Sequence, residues 1–385
     1  MAFRIIHVLD TTTSEDAVEA LSALLRRETA EDASSTHEVV VLGHRSTGAL
    51  LRSAGVTSLP VKIHWVRSLG WMDPMGWRAM GRLVDPVNPT LLHAWGLSAA
   101  MACAVGGTSA GRVVTLAEGP LSLRPWLVEM IDRGSWRAGE RKGRPVQWTG
   151  FTREVVDEIV AAGVPEERVM HVPLGVAELK EPKGRRDSVR EALGLLPEDG
   201  PVFLVGGDAR RQSRHDYGLW SGGIVQQMFP RVRVVVREDP RGRRDHGLER
   251  LLNTMGDPEL PVVAPAELSW AELLTIADVM LVTADGPVPM GAALHAMMAG
   301  VPVVGTPIRA VREIIEDGRT GLVARSLRPR ALAARLEEVM GDREVCRRLT
   351  NAARVEAREK HGEFTMVERL RSLYALGGAG ALAAA

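Results

Sequence analysis

The sequence predicts an α/β protein made of two doubly wound domains, each with a parallel sheet covered by helices on both faces. Short apolar runs alternate with amphipathic helical stretches along most of the 385 residues. The runs are apolar at nearly every position, which is typical of parallel strands buried on both faces. A stretch rich in charge, proline and glycine interrupts the alternation at 177–200, after which it starts again. This interruption predicts a linker between the two domains.

The first predicted domain covers residues 1–176. Apolar runs bounded by turn residues predict its strands, and apolar residues three or four positions apart predict its helices. The predicted strands are Phe3–Leu9, Glu38–Leu42, Val61–Val66, Thr90–His93, Arg112–Leu116, Pro145–Thr149 and Arg168–Val172. The predicted helices are Glu15–Arg27, Ser98–Val105 and Thr152–Ala162.

The linker contains one short predicted helix, Asp187–Leu193, and the second predicted domain covers 201–362. The same two patterns, apolar runs and helical spacing, recur in this domain. Its predicted strands are Pro201–Val205, Val232–Val236, Val262–Val263, Val279–Thr283 and Val301–Gly305. Its predicted helices are Trp270–Ile276, Gly291–Met298 and Val311–Glu316.

Two helices close the second domain, and polar residues that can cap their first turns predict where they begin. Ser326 precedes a helical pattern that ends at Met340. Asp342 precedes a second pattern that ends near Lys360.

Segment 363–375 is predicted to form a last helix that packs back on the first domain. Thr365 can cap this helix, which we expect over Met366–Ala375. Residues 376–385 contain only Gly, Ala and Leu and are predicted to form a flexible tail.

The composition excludes several classes of protein. Apolar residues make up 45% of the chain, and 48 basic residues balance 48 acidic ones, so an intrinsically disordered chain is excluded. The zero net charge argues against a nucleic-acid partner. Two cysteines, Cys103 and Cys346, cannot build a disulfide framework or a zinc site. The sequence shows neither a transmembrane run nor a signal peptide, which predicts a cytoplasmic protein. Peripheral membrane contact and oligomeric state stay open.

The stretch Ala277–Val323 carries the most specific motifs. They are Ala277-Asp278-Val279, Ala296-Met297, Gly300-Val301-Pro302-Val303-Val304, Glu313 and Asp317-Gly318-Arg319-Thr320-Gly321-Leu322. This stretch resembles the donor-binding half of the GT-B glycosyltransferases, specifically the retaining nucleotide-sugar enzymes called group 1 or family 4. Residues Val172–Val176 resemble the hinge motif of the same family.

The resemblance implies two Rossmann-like domains that face each other across a cleft. A nucleotide-diphosphate sugar would bind to the C-terminal domain, and an acceptor of unknown identity would bind to the N-terminal domain. The resemblance also implies that transfer retains the anomeric configuration and needs no metal or other cofactor, the nucleotide sugar being a substrate.

The expected diphosphate site lies where the chain leaves a strand after Val282. There it turns through Asp285 and Gly286 and enters a helix near Met290 and Gly291. Amide groups and the dipole at a helix start suit a diphosphate, and glycine permits close backbone approach. A tight βα turn with no ligand is the alternative.

Two donor motifs of the family are altered in this chain. The family spaces two glutamates as E-x7-E, but here His295 stands at the second position and Pro287 at the first, with Asp285 as a substitute acid. A second motif, G-R-x-x-x-x-K-G, has Gly207 at the Arg position and Gln212 at the Lys position. The expected phosphate contacts therefore pass to nearby arginines, and a solvated loop is the alternative. These arginines are Arg210, Arg211 and Arg214.

The acceptor side departs from the family as well. The loop after the first strand, Asp10–Glu15, lacks glycine, and Glu118 follows the strand Arg112–Leu116. Glu118 is the candidate catalytic acid or base, with a solvated carboxylate as the alternative. The basic cluster Arg241–Arg244 is interpreted as a solvated loop.

The sequence therefore predicts a glycosyltransferase whose activity depends on whether other residues compensate for the altered motifs. One alternative is a non-catalytic relative that keeps the fold and binds a sugar, a nucleotide or a protein. The other alternative is a nucleotide-sugar epimerase of the same fold, which would need acid and base groups such as Glu118 and His295.

Overall fold

The computed structural model describes residues 3–31, 35–43, 45–68, 73–105, 110–117, 123–133, 146–178, 185–254 and 259–382. The chain divides into two compact units, Met1–Gly175 with Glu363–Ala385, and Val176–Gly362. The second unit thus includes residues 177–200, which the sequence analysis assigned to a linker.

Each unit contains one sheet in which all the described strands run parallel, as predicted. The first has the strand order β3-β2-β1-β4-β5-β6-β7 and the second has the order β10-β9-β8-β11-β12-β13. In both sheets the order reverses beside the first strand of the unit, β1 or β8, where open α/β sheets bind their ligands. The strands are β1 Arg4–Asp10, β2 Thr36–Leu42, β3 Lys62–Val66, β4 Leu91–Trp95, β5 Gly111–Leu116, β6 Gln147–Gly150, β7 Val169–His171, β8 Val202–Val205, β9 Arg233–Arg237, β10 Pro261–Ala264, β11 Val279–Val282, β12 Val303–Gly305 and β13 Leu322–Val323.

Helices connect these strands, and their apolar faces bury the two sheets. The helices are α1 Glu15–Ala30, α2 Arg45–Ser53, α3 Pro74–Val84, α4 Leu97–Val105, α5 Pro125–Arg133, α6 Arg153–Ala161, α7 Arg185–Ala192, α8 His215–Val225, α9 His246–Leu252, α10 Trp270–Leu274, α11 Gly291–Ala299, α12 Arg309–Ile314, α13 Pro329–Gly341, α14 Arg343–Lys360 and α15 Glu363–Leu382. The sequence analysis did not predict α2, α3, α5, α8, α9 or β13.

Helix α8 was missed because its glycines disfavour an isolated helix, although they are needed where the helix lies on the sheet. A Cβ at Gly218 would lie 2.7 Å from a methyl carbon of Val205 on β8. A Cβ at Gly222 would lie 2.3 Å from a methyl carbon of Val234 on β9. The backbone of α8 therefore contacts the sheet directly, and only glycine fits.

Two predicted helix starts are wrong, and one is confirmed. Asp342 caps α14 by accepting hydrogen bonds from the backbone amides of Glu344 and Val345. Helix α13 begins only at Pro329, where the fixed φ of proline suits a first turn, and Ser326 does not cap it.

Helix α15 begins at Glu363, so Thr365 lies inside its first turn and not at its cap. It extends to Leu382, beyond the predicted end at Ala375 and into the segment predicted as a tail. A Cβ at Gly111 would lie 2.3 Å from the carbonyl oxygen of Gly377, so α15 lies directly against β5. This contact with β5 gives the later part of the helix a packing partner.

A buried chain of hydrogen bonds crosses the first unit, and its direction can be assigned. The Trp95 indole N–H can only donate, and it lies 3.2 Å from His7 Nδ1, which therefore accepts. His7 then carries its hydrogen on Nε2 and donates to His37 Nδ1 at 2.9 Å. The other nitrogen of His37 lies 3.4 Å from a Glu28 carboxylate oxygen. The chain joins β4, β1, β2 and α1, and a charged His7 would break it.

His93 lies beside this chain and connects it to α15. Its Nδ1 lies 2.6 Å from the Tyr374 hydroxyl, and its Nε2 lies 2.7 Å from the Thr115 hydroxyl. Burial, with a smaller contribution from His37, lowers the pKa of His93 to about 3. Burial and the neighbouring histidines also lower the pKa of His7 well below its usual value. Both side chains are therefore neutral in the folded protein at neutral pH.

The depressed pKa of His93 predicts that the protein loses stability in mild acid. Between about pH 6.5 and about pH 3 the unfolded chain binds a proton on His93 that the folded chain excludes, so the free energy of unfolding falls with falling pH. In His93→Gln this fall should be less steep, by up to about 1.4 kcal/mol per pH unit. Urea denaturation between about pH 7 and about pH 5 measures the slope.

The matched control is His246→Gln, because the His246 side chain is 81% exposed. It should keep the slope of the wild type. Equal slopes for His93→Gln and wild type would contradict the assignment of a neutral, buried His93.

Candidate functional site

Three loops of the second unit meet at the carboxyl edge of its sheet. The central loop, 206–214, follows β8 and leads into α8. Its neighbours are loop 238–245 after β9 and loop 283–290 after β11, because β8 lies between β9 and β11. The sequence predicts the donor site on two of these loops, 206–214 and 283–290.

Hydrogen bonds fasten the central loop to loop 283–290. The Thr283 hydroxyl donates to the Ser213 carbonyl oxygen at 2.7 Å, and the Asp285 amide donates to the Gln212 carbonyl oxygen at 3.0 Å. A Cβ at Gly286 would lie 3.1 Å from Cγ of Gln212, so this glycine permits close approach between the two loops.

Buried ion pairs fasten the central loop to loop 238–245. The Arg241 guanidinium lies 2.8 Å from Asp208 and 2.7 Å from Asp239, and all three side chains are at most 4% exposed. Burial raises the pKa of the Asp239 carboxyl, but the hydrogen bonds and charge of Arg241 outweigh it and leave the pKa lowered. The interpretation of Arg241–Arg244 as a solvated loop is therefore wrong for Arg241, since two buried carboxylates need its charge.

His215, the first residue of α8, also contacts loop 238–245. Its Nδ1 lies 3.0 Å from a carboxylate oxygen of Asp245, and the side chain is 2% exposed. The other carboxylate oxygen of Asp245 accepts amide hydrogens from Gly247 and Leu248 and so caps α9. Burial raises the pKa of the Asp245 carboxyl, but the His215 imidazole and the two backbone amides outweigh it and leave the pKa lowered. One carboxylate thus positions both the start of α8 and the start of α9.

Arg214 lies at the end of the central loop and connects this loop to loop 283–290. Its Nε and Nη2 donate to the two carboxylate oxygens of Asp216 at 3.0 and 2.9 Å. Its Nη1 donates to Asp285 at 2.9 Å. The guanidinium also stacks on the Tyr217 ring, 3.5 Å from the centroid. The bonds to Asp216, and next those to Asp285, raise the pKa of Arg214.

Two helices begin at this edge with cap residues whose side chains do not accept their amide hydrogens. Arg214 is the N-cap of α8 and has no acceptor atom, while Met290 is the N-cap of α11. Serine, threonine or aspartate caps the first turns of α1, α6, α9, α10 and α14. The first turns of α8 and α11 thus receive no side-chain acceptor from the cap residue, as is also true of α12 and α13. Helix starts can bind anions through their amides and dipole.

The predicted donor residues of the central loop do not all converge. Arg214 contacts Asp285, so these two predicted residues lie together. Arg210 instead pairs with Asp208 at 2.9 Å, on the side of loop 238–245. Arg211 is exposed in a 3₁₀ turn and makes no side-chain ion pair with a described residue.

Gly207, which stands where the family motif has arginine, lies against buried side chains. Its φ is +105°, and a Cβ there would lie 2.9 Å from the Ser213 hydroxyl oxygen and 3.6 Å from His215 Nε2. The structure therefore leaves no room for an arginine side chain at this position.

The remaining predicted residues lie on α11 and α12. Gly291 begins α11, and His295 lies one turn later with 7% of its surface exposed. Glu313 lies in the last turn of α12, after the neighbouring strand β12, and is half-buried. Glu118 lies outside the described residues.

The loop after β1, predicted to be on the acceptor side, uses its polar groups internally. Asp10 accepts hydrogen bonds from the Ala99 amide at 2.8 Å and from the amide and hydroxyl of Thr12. Burial raises the pKa of Asp10, and these bonds oppose the rise. The Thr13 hydroxyl donates to the Trp95 carbonyl oxygen at 2.9 Å. Asp10 thus holds the start of α4 against the end of β1.

The described ranges contain neither a cluster of metal ligands nor a membrane-spanning helix. No three His, Cys, Asp or Glu side chains there come together as metal ligands. No helix in these ranges combines the length and the apolar composition needed to cross a membrane.

Sequence reasoning missed residues that the tertiary structure brings to this edge, namely Asp208, Asp216, His215, Asp239, Arg241 and Asp245. A signal was present for two of them, because Asp208 and Asp239 each follow an apolar run within three residues. Acids at the carboxyl ends of neighbouring parallel strands meet at one edge. No local sequence pattern indicates the other four residues.

Gly207→Ala should destabilise the second unit by about 2–4 kcal/mol, because a strained φ is combined with overlap with Ser213. Gly242→Ala is the matched control, since Gly242 has a φ of +70° and no atom within 4 Å of a Cβ. The control should cost only about 1 kcal/mol of backbone strain. Urea denaturation gives both values, and equal losses would contradict the close packing at Gly207.

Comparison with known proteins bears on the second unit and on the fold. Residues 267–356, which include β11, α11 and α12, match the family model for glycosyl transferases group 1. The D-inositol 3-phosphate glycosyltransferase of Paenarthrobacter aurescens is 28% identical over 196 residues, 48% of this chain and 47% of that protein. The alpha-D-kanosaminyltransferase of Streptomyces kanamyceticus is 24% identical over 275 residues, 67% of each protein. The chain spans about half the length of the curated relatives it matches first.

The similarity in structure extends over almost the whole chain. The crystal structure of Anabaena Alr3699/HepE in complex with UDP-glucose has a TM-score of 0.78 at 15% sequence identity, covering 97% of this chain and 99% of that chain. The two Rossmann-like units are thus those of a GT-B fold. The fold is therefore that of GT-B proteins, and within it residues 267–356 are similar to the glycosyl transferases group 1.

Proposed function

We propose that this protein is a glycosyltransferase that binds a UDP-sugar at the carboxyl edge of β8 and β11 and transfers the sugar to an acceptor. The observation that carries the proposal is the interlocked pair of loops, 206–214 and 283–290. They bring two arginines, Arg211 and Arg214, to the same edge as the starts of α8 and α11. Guanidinium groups and helix amides are the donors that proteins use for a diphosphate.

The choice of UDP rests on the structural relatives, since Anabaena Alr3699/HepE was crystallised with UDP-glucose. In the transfer, the bond between the anomeric carbon and the diphosphate oxygen breaks, the anomeric carbon bonds to the oxygen of an acceptor hydroxyl, and the hydroxyl proton passes to the departing diphosphate. Negative charge then develops on the departing diphosphate. Arginines and helix amides that stabilise this charge would serve transfer without a metal ion. Retention of configuration is proposed from the resemblance to the retaining enzymes alone.

A second candidate is a protein that binds the nucleotide but transfers no sugar. The observation that favours it is the pairing of two of the three predicted phosphate-binding arginines with carboxylates. Arg210 pairs with Asp208, and Arg214 pairs with Asp216 and Asp285.

Titration with UDP by calorimetry tests the site, and UDP-sugar turnover tests the activity. Arg214→Ala should weaken UDP binding by about tenfold or more, because it removes a charge-assisted hydrogen-bond donor. The control is Arg347→Ala, whose exposed pair with Glu344 lies on α14. This variant should bind UDP like the wild type.

Each outcome separates the candidates. Binding that depends on Arg214, together with release of UDP from a UDP-sugar, supports the transferase. The same binding without turnover against a panel of sugars and acceptors favours the non-catalytic protein. Equal binding by Arg214→Ala and wild type would place the nucleotide elsewhere and contradict the proposed site.

A further inference from the structure

The guanidinium of Arg214 is shared between two carboxylates that differ in how firmly they hold it. Asp216 binds it through two parallel hydrogen bonds from within the first turn of α8. Asp285 binds it through one hydrogen bond, from a loop 71 residues later in the chain. The bidentate pair fixes the plane of the guanidinium, whereas the single bond leaves Nη1 exchangeable.

The contact between Arg214 and Asp285 is accessible to solvent. The side chain of Arg214 is 23% exposed and that of Asp285 is 32% exposed. Ion pairs at this exposure are weak in water and yield to a competing anion. The Arg241 pairs with Asp208 and Asp239 are at most 4% exposed and do not offer the same exchange.

We propose that Asp285 acts as a built-in competitor of the donor diphosphate for Nη1 of Arg214 and thereby sets the affinity of the site. In the free protein Asp285 neutralises Arg214. A diphosphate oxygen takes its place on binding, while Asp216 and the Tyr217 ring keep the guanidinium oriented. This inference rests on the proposed function, because it assumes that the anion at this edge is a nucleoside diphosphate.

The two possible roles of Asp285 predict different effects of its replacement on the affinity for UDP. If Asp285 only contacted donor hydroxyl groups, its replacement would leave UDP affinity unchanged and weaken UDP-sugar binding alone. As a competitor, it occupies the cation that the diphosphate needs, so its replacement should strengthen the binding of UDP itself. Release of a guanidinium from an ion pair at this exposure raises its affinity for another anion by about two- to fivefold.

Calorimetric titration of UDP and of inorganic diphosphate into Asp285→Asn, Asp216→Asn and wild type tests the proposal. Asp285→Asn should bind both anions about two- to fivefold more tightly than wild type, because Arg214 is no longer paired with Asp285. Asp216→Asn is the matched control, because it removes an equal charge from the same guanidinium but frees its orientation. It should show no comparable gain.

The double variant Asp285→Asn with Arg214→Gln tests whether the effect of Asp285 on anion affinity depends on Arg214. Its affinity should equal that of Arg214→Gln alone, since without the guanidinium there is nothing for Asp285 to occupy. A gain that persists in the Arg214→Gln background would assign the effect to general charge and overturn the exchange. Thermal denaturation verifies that each variant is folded.

The outcomes distinguish this inference from the proposed function. Wild type that binds UDP while Asp285→Asn binds it equally or more weakly overturns the exchange and leaves the transferase standing. Tighter binding by Asp285→Asn without any sugar transfer supports the exchange and contradicts the transferase. If neither protein binds UDP or inorganic diphosphate, both proposals fail.

Discussion

The position of β8 between β9 and β11 is the constraint on which the candidate site depends. Loop 206–214 must pass between the loops that follow those two strands, and each neighbour holds it by a different interaction. Buried ion pairs centred on Arg241 fix one side, and hydrogen bonds from the Thr283 hydroxyl and the Asp285 amide fix the other. The starts of α8 and α11 and the direction of Arg214 follow from this placement.

Each unit contains a buried network of polar side chains, and the two networks differ in charge. The first unit buries histidines in neutral form, and the one-way sequence of donors and acceptors from Trp95 to His7 and on to His37 satisfies them. The second unit buries charges and pairs them, as in the contacts of Arg241. A neutral network depends on pH through protonation, whereas an ion pair within a loop stays charged and can hold a site in a fixed geometry. The buried ion pairs of Arg241 lie in the unit that carries the candidate anion site.

The structure bears on two positions at which the sequence predicts altered motifs, Gly207 and Arg214. Gly207 stands where the resemblance predicts an arginine, and the space that a side chain would need is occupied by Ser213 and His215. Arg214 brings a cation to the end of the same loop, near the start of α8. The sequence identified Arg214 as one of three substitutes, but spacing alone did not separate it from Arg210, whose partner lies on the opposite side.

The sequence by itself determined the two α/β domains, the family resemblance and the segments on which we propose the donor site. It did so because apolar periodicity and short motifs are local properties of the chain. Only the tertiary structure decided that α8 forms despite its glycines, that Arg241 is buried and that Asp285 pairs with Arg214. Each of these depends on contacts between residues far apart in the chain, and their partners are set by strand order and not by sequence spacing. The chemistry of the site is therefore encoded in which loops the sheet brings together.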